Sequence, residues 1–160
     1  MRKYLEKDML ADSLQGRIRF NCTTYVGMDG DHIFEVFVDN TLAKQFSMET
    51  VNSYFISEKE LKPPIDITEY WSGFCETYSN TPIEEREEYT DGEFCDALNT
   101  YRNQSIGDSL CSDNPIERMF AILDRRIGKR KLISIKNTVN QQPKWLSVFY
   151  RLRLEAEGIQ

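Results

Sequence analysis

GRIRFNCTTYVGMDGDHIFEVFVDNTLAKQF runs from Gly16 to Phe46. In its first part Ile18, Phe20, Cys22, Thr24 and Val26 alternate with Arg17, Arg19, Asn21, Thr23 and Tyr25, the two-residue period of a strand with one apolar face. Gly27-Met28-Asp29-Gly30-Asp31 supplies turn chemistry. HIFEVFVD, from His32 to Asp39, is apolar at nearly every position and rich in β-formers, which reads as a more central strand. Asp39-Asn40 starts a second turn, and Leu42 to Phe46 has the length of a short third strand. The expectation is a three-stranded antiparallel meander.

Upstream, residues 1–14 predict an amphipathic helix, with Tyr4, Leu5, Met9 and Leu14 on or near one face. Downstream the strand signals stop. Ser47 has the form of a cap for a helix carrying Val51, Tyr54 and Phe55, which ends before Lys62-Pro63-Pro64. Asp66-x-x-Glu69 has the spacing of a capping box, and the segment it opens puts Tyr70, Phe74 and Tyr78 on one stripe. Thr81-Pro82 and Asn114-Pro115 each place proline at the first helical position behind a capping residue. Between them a helix covers Asp91 to Asn103, with Phe94, Leu98 and Tyr101 inward.

After Asn114-Pro115, Ile116, Met119, Phe120, Leu123 and Ile127 form an apolar stripe that runs to a break at Gly128. Lys129 to Asn140 carries Leu132, Ile135 and Val139. Gln142-Pro143 opens a last helix with Trp145, Phe149, Leu152 and Ala156 on one face, broadened by Leu146, Tyr150 and Leu154 and ended by Gly158. The expected fold is α+β: an N-terminal helix, the three-stranded meander, then five or six helices packed mainly on one face of the sheet. Residues 1–160 form a single domain in this reading. The helix and small sheet fill 1–62, the helical part fills 65–160, and Lys62-Pro63-Pro64 is a stiff connector.

At 160 residues, 40% hydrophobic and 29% charged, the chain has a globular composition and can bury roughly 70% of its unfolded surface. Its apolar runs fall short of the roughly 18 residues a membrane span needs. MRKYLEKDMLADS lacks the apolar stretch of a signal peptide. The expectation is a soluble cytoplasmic protein with no membrane partner. Cys22, Cys75, Cys95 and Cys111 are widely spaced with no C-x-x-C, which predicts reduced thiols, most of them buried as small apolar residues. With His32 as the single histidine, no metal and no other cofactor is expected.

The charge is unevenly spread. Residues 113–160 hold ten Lys/Arg against five Asp/Glu, a net of +5, so residues 1–112 carry the remaining -11 of the total of -6. The acidic part peaks in EEREEYTDGEFCD, Glu84 to Asp96, with seven carboxylates and one arginine. Such asymmetry either steers a charged partner or keeps a solvated face soluble. Glu84/Glu88 and Glu87/Asp91 have helical i,i+4 spacing, but nothing indicates the burial that tunes a catalytic acid.

The basic cluster is Arg125, Arg126, Lys129, Arg130 and Lys131 around Gly128. It is not a Walker loop, since Leu123 occupies the first glycine position and no Ser or Thr follows the lysine. As the corner of a helical pair it could meet phosphates, although the sequence pI of about 4.9 is low for a dedicated nucleic-acid binder. Lys129, Arg130 and Lys131 fall in a first helical turn, where the dipole disfavours cations, which points to a partner for the cluster, the acidic segment among the candidates. Asp124 is placed to hold one of the arginines.

Asp29, Asp31 and His32 could form a polar site at the hairpin turn, and Cys22 on the neighbouring strand could reach His32 for nucleophilic chemistry. The turn lacks the glycine and closing glutamate of a calcium loop. G-x-G-x-x-G, G-x-S-x-G and H-E-x-x-H are all absent, so no catalytic residue is assigned.

The stretches ILDRRIGKRKL (122–132) and QPKWLSVFYRLRLEAEGI (142–159), with Ser13-Leu14-Gln15-Gly16-Arg17-Ile18-Arg19-Phe20 and Gly27-Met28-Asp29-Gly30, carry a resemblance. The chain resembles a small family of uncharacterised bacterial cytoplasmic proteins with a C-terminal LDRRxGKRxL…QPxWLxxFYxLRLEAEG signature. The resemblance implies a bacterial cytoplasmic origin and brings no activity, cofactor or catalytic residue. The expectation for function is a non-catalytic interaction protein, an adaptor or immunity-type inhibitor. Glu84, Glu85, Glu87 and Glu88 would face a basic protein partner. The alternatives are a nucleic-acid binder through the basic corner and, third, an enzyme using His32.

Overall fold

A computed structural model describes residues 1–24, 32–58 and 66–159. The Gly27–Asp31 turn with Asp29 and Asp31, and the Lys62-Pro63-Pro64 connector, lie outside the described residues.

The meander forms as the alternation requires. Strands β1 (Ile18–Thr24), β2 (His32–Val38) and β3 (Thr41–Phe46) make one antiparallel sheet with β2 central. Phe20 pairs with Val36 and Phe34 with Phe46, so the buried residues of three strands share one face. The other face is polar: Asn21 Nδ2 donates to Glu35 at 2.8 Å, and the Arg19 guanidinium lies 4.2 Å from the Phe37 ring centre. Asp39 and Asn40 take φ of 48° and 65°, the left-handed pair of a tight hairpin.

Seven α-helices follow among the described residues: α1 (Met48–Glu58), α2 (Ile67–Asn80), α3 (Asp91–Asn103), α4 (Ile106–Cys111), α5 (Pro115–Leu123), α6 (Lys129–Ile135) and α7 (Lys144–Ala156). Ser47 caps α1 by accepting from Thr50 N at 3.2 Å, and Asp66 caps α2 by accepting from Thr68 N and Glu69 N. Thr90 and Glu93 complete a reciprocal capping box on α3, and Asn114 with Pro115 starts α5.

Helix α5 is the hub. Eight of its nine residues are buried, and it packs on α3, α4 and α7. The α3 and α7 helices reach the sheet through aromatic contacts, Phe94 on Phe34 with ring centres 4.6 Å apart and Trp145 edge-on to Phe46 at 6.0 Å. A second, smaller cluster joins α1 to α2 through Val51, Phe55 and Phe74, with Met48, Tyr70 and Tyr78 around them. Within α1, Val51 and Phe55 are buried, whereas Tyr54 turns outward and is 41% exposed.

Several elements differ from the expectations. The 1–14 helix is one π-helical turn, Tyr4–Met9, and one 3-10 turn, Asp12–Leu14. It breaks because Leu10 is recruited into a bridge opposite Asp124, with Ala11 N donating to Leu123 O and Arg125 N to Met9 O, both at 2.9 Å. The same bridge ends α5 at Leu123 rather than Ile127, though Ile127 stays buried. Gly128, with φ of -83°, precedes α6 instead of closing α5 in a left-handed cap.

The helix expected through Asn140 relaxes after Ile135 into a 3-10 stretch, Lys136–Gln141. Thr81-Pro82 opens only the 3-10 turn Ile83–Glu85. The six-residue α4 had no apolar period to announce it; its one local signal is Ser105, which accepts from Asp108 N at 3.1 Å. The four thiols are free, as expected, but all are exposed rather than buried.

Candidate binding site

Between the 3-10 turn Ile83–Glu85 and the start of α3 at Asp91 the acidic segment is not helical, so Glu84 does not stack on Glu88 nor Glu87 on Asp91. Instead the chain from Arg86 to Thr90 is pinned from inside. Tyr89 is fully buried between Phe46 and Trp145, and its hydroxyl donates to Arg86 O at 2.5 Å. Burial drives its phenol well above the usual tyrosine range. Lys44, an inward-facing residue of the edge strand β3, donates to Glu87 O and to Glu88 Oε2, each at 2.7 Å. Its ammonium also lies 5.6 Å and 5.5 Å from the ring centres of Tyr89 and Trp145. Glu88 therefore serves the fold.

Arg86 is committed as well. Its guanidinium covers the Tyr78 ring at 4.2 Å, pairs with Glu93 at 2.6 Å, and donates through Nε to Thr81 O. Tyr78 donates to the other Glu93 oxygen at 2.5 Å, and burial, with this bond second, raises its phenol strongly. Between this pinned segment and the α1–α2 pair lies a cavity of about 200 Å³. Tyr54, Phe55 and Glu58 of α1 form one wall, Thr77 and Tyr78 of α2 another, and Glu85, Glu87 and Glu88 the rim. Burial and the charges of Glu58, Glu87 and Glu88 push the Tyr54 phenol up, so these carboxylates and the ring act on one another. The side chains of Glu58, Glu84, Glu85 and Glu87 have no hydrogen-bond or ion-pair partner among the described residues.

The basic corner lies elsewhere. Arg125, Arg126, Lys129, Arg130 and Lys131 are all exposed. Arg126 is bound through Nε at 2.8 Å and Nη2 at 2.6 Å to the buried Asp124, which also accepts the Tyr101 hydroxyl and Arg126 N. This carboxylate raises the arginine's already high pKa. The other four cations have no side-chain partner among the described residues. No ion pair joins them to the acidic segment there, so the internal pairing considered from the sequence is not made: Glu88 takes Lys44, Glu93 takes Arg86, and Asp124 takes Arg126.

A model of the SF0329 protein family matches residues 1–154. The chain belongs to the SF0329 family. The matched span contains both the acidic cleft and the basic corner of this SF0329 protein. No curated protein and no solved structure matches the chain.

His32 of this SF0329 member is exposed, with Nδ1 4.0 Å from Asp91 Oδ2, beyond hydrogen-bond range. Its candidate partner Cys22 faces the same side of the sheet, but partial desolvation and the Asp91 charge raise that thiol, the reverse of what a nucleophile needs. Among the described residues no group of three or more His, Cys, Asp or Glu could hold a metal ion, and no helix is long and apolar enough to cross a membrane.

Proposed function

We propose that this SF0329 protein is a non-catalytic binding protein of the bacterial cytoplasm, an adaptor or immunity-type inhibitor, that engages a basic protein partner through the acidic cleft. One observation carries the reading: carboxylates without a partner among the described residues line a cavity with aromatic walls, beside a segment held by Lys44, Arg86 and Tyr89. A held surface whose free charges are negative suits electrostatic recognition, because those charges need not be reorganised on binding. Glu84, Glu85 and Glu87 face the partner; Glu88 positions the loop.

The test is affinity capture from nuclease-treated lysate of the host with the parent protein and with a Glu84→Lys/Glu85→Lys/Glu87→Lys variant. The parent retains a protein and the variant loses it. Equal retention by both places the interface elsewhere.

A second reading rests on the exposed Arg125, Lys129, Arg130 and Lys131, which have no side-chain partner among the described residues. They would meet an anionic partner such as nucleic acid, with affinity falling steeply as salt rises. Arg125→Glu with Lys129→Glu then abolishes retention on immobilised nucleic acid; retention unchanged by that pair sinks this second reading.

A further inference from the structure

Around the acidic cleft the fold twice solves the same problem in the same way. Arg86 lies on the Tyr78 ring and pairs with Glu93. Lys44 lies near the rings of Tyr89 and Trp145 and pairs with Glu88. Each is a cation held jointly by an aromatic face and a carboxylate, an arrangement in which ring quadrupole and Coulomb attraction add. A third set, Tyr54 with Glu58 and Glu87, lines the same cavity and has no cation of its own among the described residues.

Other features of the cleft fix the chemistry of what it takes. The cavity of about 200 Å³ offers space for one long side chain and not for a secondary-structure element. Its wall includes the buried Phe55 and the partly exposed Tyr54 ring, which favour a methylene stem, and Glu58, Glu85, Glu87 and Glu88 share the same lining. Arg86 is the one cation in the described lining, and its pairing with Glu93 leaves the rim negative.

Resting on the reading of the cleft as a protein-binding surface, we propose that it seats a single lysine or arginine side chain of the partner. The stem lies against Tyr54 and Phe55, and the cation sits among Glu58, Glu85 and Glu87. The partner thus presents a projecting basic residue as its anchor, and the rest of the acidic segment supplies long-range attraction.

The experiment titrates tetralysine, tetraarginine and tetra(acetyl-lysine) into the protein at low salt. Tyrosine-ring resonances are followed by NMR, with Tyr54 assigned through Tyr54→Phe. The two cationic peptides shift the Tyr54 ring and the acetylated one does not. Tyr54→Leu weakens binding about two- to fivefold, the cation–aromatic contribution at a partly exposed site. Glu58→Gln with Glu87→Gln weakens it further.

If tetralysine binds but Tyr54→Leu changes nothing, the side-chain seat is wrong while the acidic surface stands. If neither cationic peptide binds but the charge-reversed protein still loses its captured partner, the seat falls alone. Failure of both assays removes both readings. The peptides are also titrated into Lys59→Gln/Lys62→Gln, since these lysines follow Glu58 in the chain. Unchanged affinity is expected; a tenfold gain would make one of them the occupant and overturn the proposal.

Discussion

Lys44 and Glu88 are an unequal pair, and the inequality can be measured. Lys44 is 7% exposed and depends on Glu88 for its counter-charge, whereas the Glu88 side chain is 28% exposed and can turn to water. Glu88→Gln leaves the buried ammonium with a carbonyl and two ring contacts. The expected loss is about 2 kcal/mol, below the roughly 3–5 kcal/mol of breaking a fully buried pair. Lys44→Met removes the charge and keeps the stem, for a loss of under about 1 kcal/mol. Urea denaturation of both variants decides it, and a larger loss for Lys44→Met would refute this assignment. Asp124 follows the same logic. Tyr101→Phe leaves Arg126 on the carboxylate and costs about 1 kcal/mol. Asp124→Ala takes away the acceptor of the buried Tyr101 hydroxyl, which keeps only the bond it accepts from Arg126, and opens the corner, for about 1–3 kcal/mol or more, with Tyr101→Phe/Asp124→Ala losing less than the sum.

At the scale of elements, the β2–β3 turn is set by two residues and guarded by a third. Asn40 at φ of 65° tolerates the left-handed region better than most residues, and Asn40→Ala should cost about 1 kcal/mol by thermal unfolding. Arg17 grips Asp39 with Nε and Nη2 at 3.0 Å and 2.7 Å, which holds that carboxyl below the usual aspartate range. A depressed folded pKa contributes stability that is complete above the ordinary aspartate value of about 3.9 and lost as pH falls through the folded value. The Asp39 carboxyl should titrate below that value by NMR, and Arg17→Gln should return it to normal.

This turn, the three strands, α3 and the start of α5 were legible because their signals are local: alternation, a capping box, a cap followed by proline. The ends of α5 and of the 1–14 segment were not, since Leu10 and Asp124 meet from far apart in the sequence and each breaks the other's helix. The cleft was half legible for the same reason. Glu85 and Glu87 stood out as charges, but Tyr54 carried the pattern of an inward helix residue, and only its position opposite the 85–88 strip makes it a wall.

Across the whole molecule, burial raises the phenols of Tyr78, Tyr89, Tyr101 and Tyr150, the last pushed up to about 12. A raised folded pKa gives stability that is complete below the unfolded tyrosine value of about 10 and lost as pH rises through the folded values. Stability should therefore hold from neutrality to about pH 10 and fall steeply above it. Denaturant midpoints at pH 8, 10 and 11 test this, and a flat series would contradict it. The ties between the N-terminal segment and α7 have a consequence in time. Ser13 donates to Glu157 at 2.6 Å, Arg153 donates to Ser13 at 3.2 Å, and Arg17 reaches Glu155 at 3.0 Å. These contacts have very high sequence separation, the kind that closes late and slows folding. On the ribosome, the meander emerges long before the helix that clasps it. Phe94 of α3 can reach its apolar face first, but the cover is completed only when Trp145 of α7 leaves the exit tunnel, which makes the nascent chain, rather than the finished protein, the form most in need of a chaperone.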